Sequence, residues 1–565
     1  MSILQFKTAN CKDCYKCIRH CAIKAIEVRD HQAQIIERDC VLCGRCTLVC
    51  PQNAKEVRND VHLVQQWIRE GKTVVANVAP SFAAHYEVND FASFAQMLSA
   101  LGFAQARETA EGAYWVKSKY EELLAEQASP VLISSCCPTV NQLIEKHYPK
   151  AIPYLAPVMT PMQAEAQAIK QAQPDARVVF IGPCIAKKAE CEQQPGLTDC
   201  VLTFEELNGW MNEAHVTLPP LTDTPAEPRY RSRFFPMGGG IIASMDRQED
   251  TQYICIDELE NCMEALQEII DGKLTNCFIE MSACKGSCIN GPATGHHSPH
   301  TIAATAKVRA FASNPGGMVD FDAPNDAPLT QSFRDRQVIF PVPEQAEIAA
   351  ILKKMGKHTA DDELNCGACG YATCRDKAIA IYYGKADVSM CLPYMKKKAE
   401  SMADQIIQAT PNGIIVVDVQ MKIQQINQAA CRLFQIQNPQ DAVGLPVSQV
   451  MDEFDFVQAF ANEKSTYNQR TYLTEYRKNV EQSFIYDAED HLVFCIMKDI
   501  TEEEENRERL RKTKNEAVEI TDKIITKQMR IVQEIASLLG ETAAETKVAL
   551  TKLQHTVVME EQEES

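Results

Sequence analysis

The sequence lacks any apolar run long enough to span a bilayer, and its start, MSILQFKTAN, lacks the hydrophobic core of a signal peptide. A cytoplasmic protein without a membrane partner is expected. Positive charge is also in deficit. The net charge of −19 argues against nucleic acid and anionic lipid surfaces as partners. Cysteine is abundant, with 24 among 565 residues. In a large chain of that expected compartment, so many thiols are not a disulfide framework. The length calls for several domains, and the 45% apolar content suffices for their cores.

Sixteen of the cysteines fall into runs with cluster-ligand spacing. Residues 1–58 hold C-x2-C-x2-C-x3-C twice, as Cys11, Cys14, Cys17, Cys21 and as Cys40, Cys43, Cys46, Cys50. In the bacterial two-cluster ferredoxin spacing, the fourth cysteine of each run serves the other cluster. One 4Fe–4S cluster is thus expected on Cys11, Cys14, Cys17 and Cys50, and a second on Cys40, Cys43, Cys46 and Cys21. Zinc is the alternative, but its sites use close pairs rather than two interlocked fours. Ala22 stands where the first run often has proline.

Residues 59–340 alternate helical and strand patterns, as in a mostly parallel sheet with helices on both faces. Three apolar runs end in cysteine: VLISSCCP (131–138), VVFIGPCIAKK (178–188) and FIEMSACKGSC (278–288). Thiolates delivered by three strand ends to one crevice fit the α/β arrangement in which ligands sit at carboxyl ends of strands. Residues 341–400 carry Cys366, Cys369, Cys374 and Cys391, a C-x2-C-x4-C-x16-C run whose Gly and Ala residues admit a third 4Fe–4S cluster, with zinc again the alternative. This stretch resembles the small Fe–S domain of sensory hydrogenases and some corrinoid proteins.

SSCCP, PCIAKK and SACKGSC, in that order behind a two-cluster ferredoxin segment, resemble the active domain of an iron-only (FeFe) hydrogenase over roughly the first 60% of the chain. The resemblance implies an H-cluster: a 4Fe–4S subcluster on Cys137, Cys184, Cys284 and Cys288, with Cys288 bridging to a diiron unit that carries carbon monoxide, cyanide and a dithiolate. Buried cyanide needs hydrogen-bond or charge partners. Lys187 is the candidate for one, and donors around Ala79, Pro80 and Ser81 for another, while Ser282 faces the same site. Phe235 matches an aromatic that packs on the diiron unit, and Cys136 matches the proton-relay thiol. Read without the resemblance, Lys187 is a surface lysine, Phe235 a core aromatic and Cys136 a spectator. Cys191, Cys200, Cys255, Cys262, Cys277, Cys431 and Cys495 read as small buried hydrophobes.

Departures from the catalytic pattern point to the sensory subgroup. Gly182 and Ser282 stand where methionines are usual, and Ser287 and the GPAT that follows replace glycines. Ala156 aligns with the relay serine, and alanine carries no proton. Glu108 and Glu111 read equally as the acidic pair of a proton wire and as carboxylates favoured at a helix start.

Residues 401–501 have no cluster spacing and resemble a PAS sensor domain, with strands at 414–418 and 422–426, Asn427 capping the helix AACRLF, and a closing hairpin ending at Asp499-Ile500-Thr501. His491, the only histidine there, falls in a hairpin turn, so no PAS cofactor is assigned. Residues 502–565 form a charged helix or coiled coil. Its seam runs Ile525, Met529, Val532, Ala536, Leu539, Ala543, Thr546, Leu550, Leu553, Val557, either as a dimer or bundle stripe or as one amphipathic helix packed on its own protein.

The expected protein is a multidomain α/β sensory FeFe-hydrogenase acting slowly on dihydrogen and protons. A redox partner such as ferredoxin, a homodimer and a separate kinase or phosphatase as signalling partner are expected, since no kinase or phosphatase domain follows the PAS pattern. The rival readings are a catalytic hydrogenase coupled to ferredoxin or an NAD-linked partner, and a non-catalytic iron–sulfur redox scaffold.

Overall fold

The structure, a computed structural model, describes residues 2–7, 10–29, 32–127, 129–221, 228–294, 301–313, 319–321, 327–339, 341–539 and 547–554. The chain divides into two compact units, Met1–Met395 and Lys396–Ser565.

In the first unit, strand Leu4–Phe6 pairs antiparallel with Lys55–Val57, and Ile26–Arg29 with Gln32–Ile35. Between them lie two single-turn helices, Lys16–Arg19 and Arg45–Leu48, each entered through a left-handed residue, Tyr15 and Gly44. Gly44 has no substitute. At φ +72°, an added Cβ would lie 2.3 Å from Pro292 and 2.8 Å from Ile185.

Two parallel sheets follow. One has the order Gln105–Glu108, Val74–Val78, Arg177–Gly182, Cys200–Thr203. The other runs Gln252–Asp257, Cys277–Ser282, Val131–Ile133. Strands Val74–Val78 and Cys277–Ser282 are buried along their whole length, as expected of parallel strands covered on both faces. All three cysteine-bearing runs leave their strands at the carboxyl end, two from the smaller sheet and one from the larger.

In the second unit, a five-stranded antiparallel sheet has the order Ile423–Ile426, Gly413–Asp418, Leu492–Asp499, Lys478–Asp487, Thr466–Leu473. Its PAS core packs Ile415, Val417, Phe456, Phe484 and Cys495. Asn427 holds it at one corner. Its Oδ1 accepts from the backbone N–H of Ile414 (2.8 Å) and Ala430 (2.9 Å), and its Nδ2 donates to the carbonyls of Ile407 and Asn412 (both 2.9 Å). Asn427→Ala removes an N-cap and strands two carbonyls. A loss of about 2–3 kcal/mol is expected, read as faster hydrogen exchange along strand Gly413–Asp418 in the full chain. Unchanged exchange would mean that the corner is held by packing alone.

Helix Thr501–Leu539 leaves the PAS domain. The described stretch 547–554 is helical, and Gln554 Nε2 donates to Asp522 Oδ1 at 2.9 Å. Leu550 and Leu553 therefore lie on a limb that returns along the helix rather than on its continuation. Ala543, Thr546 and Val557 of the expected seam lie outside the described residues. Among the described residues, no helix is long and apolar enough to cross a membrane.

Candidate iron–sulfur and hydrogen site

One cavity is lined by Ala79, Pro80, Ser81, Cys136, Cys137, Cys184, Lys187, Phe235, Ser282, Cys284 and Cys288, all the residues expected at the hydrogen site. Cys137 ends the run after strand Val131–Ile133 and precedes helix Pro138–His147, whose proline at the first position starts the helix cleanly. Cys184 follows strand Arg177–Gly182, and Cys288 lies in the short helix Ser287–Asn290. Burial raises the thiol pKa of Cys184 to about 11 and pushes those of Cys284 and Cys288 up as well, with the neighbouring thiolates adding to it. Such thiolates need a cationic partner, and iron supplies one.

Two observations test whether the cavity fits the expected group. The hydroxyls of Ser81 and Ser282 are buried and have no partner among the described residues, so two donors in the cavity wall are free for ligand atoms. The four cysteines also form a soft donor set suited to iron–sulfur chemistry. The residues present fit. Among the described residues, no three His, Cys, Asp or Glu side chains converge to chelate a single ion. A 4Fe–4S core holds its thiolates further apart than one zinc does, with Zn–S at about 2.3 Å.

Lys187 lines the cavity and is held from behind. Its Nζ donates to Thr160 Oγ1 (2.8 Å) and Glu190 Oε2 (2.7 Å), leaving one of the ammonium's three donors. Thr160 in turn donates to Glu190. Lys187 is thus no surface lysine, being 7% exposed, and Phe235, at 8%, belongs to the core as well as the cavity. The motif did not reveal Thr160, which reaches Lys187 from 27 residues upstream.

Phe180 accounts for Gly182. A Cβ at residue 182 would meet the Phe180 ring at 2.8 Å and Ala79 Cβ at 3.0 Å, because residues two apart on a strand share a face. The ring fills the space of the missing side chain and lies 6.0 Å from Lys187 Nζ. Ser287 has a left-handed backbone at φ +64°, a conformation that favours glycine, in the cavity wall. Glu280, which also lines the cavity, accepts from the Ile242 N–H, and burial lifts its pKa to about 7.

Cys136 touches a residue that the sequence did not single out. Its Sγ lies 3.2 Å from the hydroxyl of Tyr120, which is also 3.0 Å from Ser135 Oγ, and Ser135 donates to the Val158 carbonyl at 2.7 Å. Burial pushes the Cys136 thiol up to about 12. Beside this network Ala156 is fully buried and offers no side-chain donor. Glu108 is bound instead to Arg233 and Glu111 to Arg107. Both carboxylates are thus engaged in ion pairs.

The ferredoxin cysteines lie close together in the first unit. Cys21, Cys40, Cys43 and Cys46 line one small pocket. Cys17 lies within electrostatic reach of Cys14 and Cys50 and packs with Cys11. Cys43 is likewise within reach of Cys284, placing the first set beside the hydrogen site. Cys366, Cys369, Cys374 and Cys391 line a third pocket. His491 sits in the PAS hairpin turn with its ring against the Tyr486 hydroxyl.

Known protein families match four segments of the chain. The family "iron only hydrogenase large subunit, C-terminal domain" matches residues 72–292, a 4Fe-4S binding domain 33–56, an Fe-S cluster domain 362–393 and a PAS domain 411–502. Iron hydrogenase 1 of Clostridium pasteurianum is 26% identical over 233 residues, which are 32% of this chain and 41% of that protein. Cytosolic iron-sulfur assembly component 3 of Pongo abelii is 23% identical over 383 residues, 54% of this chain and 80% of that one. A solved structure of a variant of the FeFe-hydrogenase HydA1 from Chlamydomonas reinhardtii is 17% identical with a TM-score of 0.38, covering 49% of this chain and 99% of that chain. With its hydrogenase, iron–sulfur and PAS segments in one sequence, the chain is a PAS-containing, FeFe-hydrogenase-like protein.

Proposed function

We propose that the protein is a sensory hydrogenase that binds dihydrogen and oxidises it slowly and reversibly, passing electrons to 4Fe–4S clusters and its state to the PAS domain and C-terminal helices. The observation that carries this reading is the single cavity joining Cys137, Cys184, Cys284 and Cys288 to Cys136, Lys187 and two unpartnered serine hydroxyls. These four cysteines would hold the H-cluster. When bound, its diiron unit supplies the splitting of dihydrogen.

The chain's own residues then do three things. Lys187, aimed by Thr160 and Glu190, and the Ser81 and Ser282 hydroxyls offer donors to buried anionic ligands. Phe180, Phe235 and Pro80 keep water off the site. Cys136 holds a proton at the cavity wall, but its network runs through Tyr120 and Ser135 to a main-chain carbonyl, a poor route to solvent.

That network favours slow turnover. Each missing acid–base or electrostatic element costs roughly tenfold to a thousandfold, so hydrogen turnover orders of magnitude below that of fast catalytic relatives is expected. Amperometric hydrogen assays at thousands of turnovers per second, above ordinary enzyme rates, would favour the catalytic reading with ferredoxin or an NAD-linked partner. Cys136→Ala should lower the residual rate further, and no change would make Cys136 a spectator. The similarity to an iron-sulfur assembly component supports the second reading, a scaffold without the diiron unit. Infrared bands of bound carbonyl and cyanide after maturation decide between the two.

A further inference from the structure

The segment bearing Cys366, Cys369, Cys374 and Cys391 packs directly on the ferredoxin segment. Gly370, at φ +92°, comes so close to the Arg19 backbone that an added Cβ would sit 3.0 Å from its nitrogen. Lys385 pairs with Asp39 at 2.7 Å, and its carbonyl accepts from the Val28 N–H at 3.3 Å. Between the two segments lies Tyr371, 5% exposed, in one apolar cluster with Cys17, Cys21 and Cys369.

Tyr371 also lines the pocket of the four C-terminal cysteines. Its hydroxyl is buried and has no hydrogen-bond partner among the described residues. A buried phenol left unpaired is costly and uncommon, and among the described residues this donor is free for a ligand atom. Lys24, whose Nζ is 5.9 Å from the Tyr371 ring centre, is flanked electrostatically by Cys21 and Cys369. The seam thus brings cysteines of both segments to one aromatic ring.

We propose that Tyr371 donates a hydrogen bond to a sulfur of the C-terminal 4Fe–4S cluster and raises its reduction potential, making that cluster the electron acceptor for the ferredoxin segment across the Tyr371 seam. The inference rests on the reading that Cys366, Cys369, Cys374 and Cys391 hold such a cluster. In the transfer, one electron leaves a reduced ferredoxin-segment cluster and reduces the C-terminal cluster by one. No bond is made or broken and no proton moves. The direction of tuning follows from the donor, because hydrogen bonds to cluster sulfurs stabilise the more negative, reduced state.

The test is a redox titration of the anaerobically reconstituted full chain, followed by electron paramagnetic resonance and iron content, in wild type, Cys391→Ala and Tyr371→Phe. Cys391→Ala is expected to lose one cluster signal, which identifies the C-terminal cluster. Tyr371→Phe, which keeps the ring, should retain that signal and the full iron content while its midpoint moves to lower potential. An unmoved midpoint with the Cys391→Ala signal loss intact overturns the role of Tyr371 and leaves the cluster reading standing. If Cys391→Ala loses no signal, the cluster reading falls and the proposal with it. Loss of the cluster in Tyr371→Phe also overturns it, since a donor that only tunes is not required for assembly.

Discussion

Cys288→Ala is expected to abolish the infrared bands of carbonyl and cyanide together with all hydrogen activity, while the ferredoxin clusters assemble as before. By its resemblance to FeFe-hydrogenases, Cys288 would be the cysteine that holds both the 4Fe–4S and the diiron parts of the H-cluster. Cys137, Cys184 and Cys284, which line the same cavity, would each be taken up by one iron of the cubane. Burial raises the Cys288 thiol pKa, so the thiolate is favoured only while metal is bound to it. Alanine leaves a gap in the cavity where that ligand stood. The ferredoxin sulfurs Cys21, Cys40, Cys43 and Cys46 line a separate pocket, which explains why their signals should survive. The expected result is all-or-none, unlike the graded loss expected for Cys136→Ala. A variant that kept the complete infrared spectrum would remove Cys288 from the bridge and undo the proposed ligand set.

The candidate cluster cysteines were legible as groups because the close spacing within each run marks thiols that can share a core, while a ligand contributed by another run is set by the fold. The strand-then-cysteine pattern was legible for the same reason, and the structure places the ends of those strands around one cavity. The groups that hold the site residues in place were not legible. Thr160 meets Lys187 across 27 residues, and Tyr120 meets Cys136 across 16, distances over which no periodicity carries information. Gly182 read as a lost side chain, and only the fold shows that Phe180 on the same strand face fills its volume. The sequence pattern left the C-terminal helix open between a continuous stripe and a packed one, because a four-three repeat is the same for both. The Gln554–Asp522 hydrogen bond shows a limb that folds back.

Arg233→Met is expected to cost about 3–5 kcal/mol of stability, the usual penalty for breaking a buried ion pair from one side. Arg233 is 1% exposed and Glu108 5%. The guanidinium grips the carboxylate through two nitrogens, Nε to Oε2 at 2.9 Å and Nη2 to Oε1, and lies 4.5 Å from the centre of the Phe311 ring. Methionine keeps much of that packing volume but takes the guanidinium away from a buried carboxylate, so the cost is electrostatic rather than a cavity. Glu108→Gln in the same background should restore a large part of the loss, because it removes the buried charge. The pair of variants also separates two roles for Glu108. A carboxylate in a proton wire would lose turnover on conversion to glutamine while keeping its stability. A structural partner of Arg233 loses stability first and turnover only as folded protein is lost. Denaturant unfolding of the full chain under anaerobic conditions, with hydrogen turnover measured per loaded cluster, reads both. If Glu108→Gln lowered the rate per cluster at unchanged stability, the ion pair would be incidental and the carboxylate would rejoin the proton path.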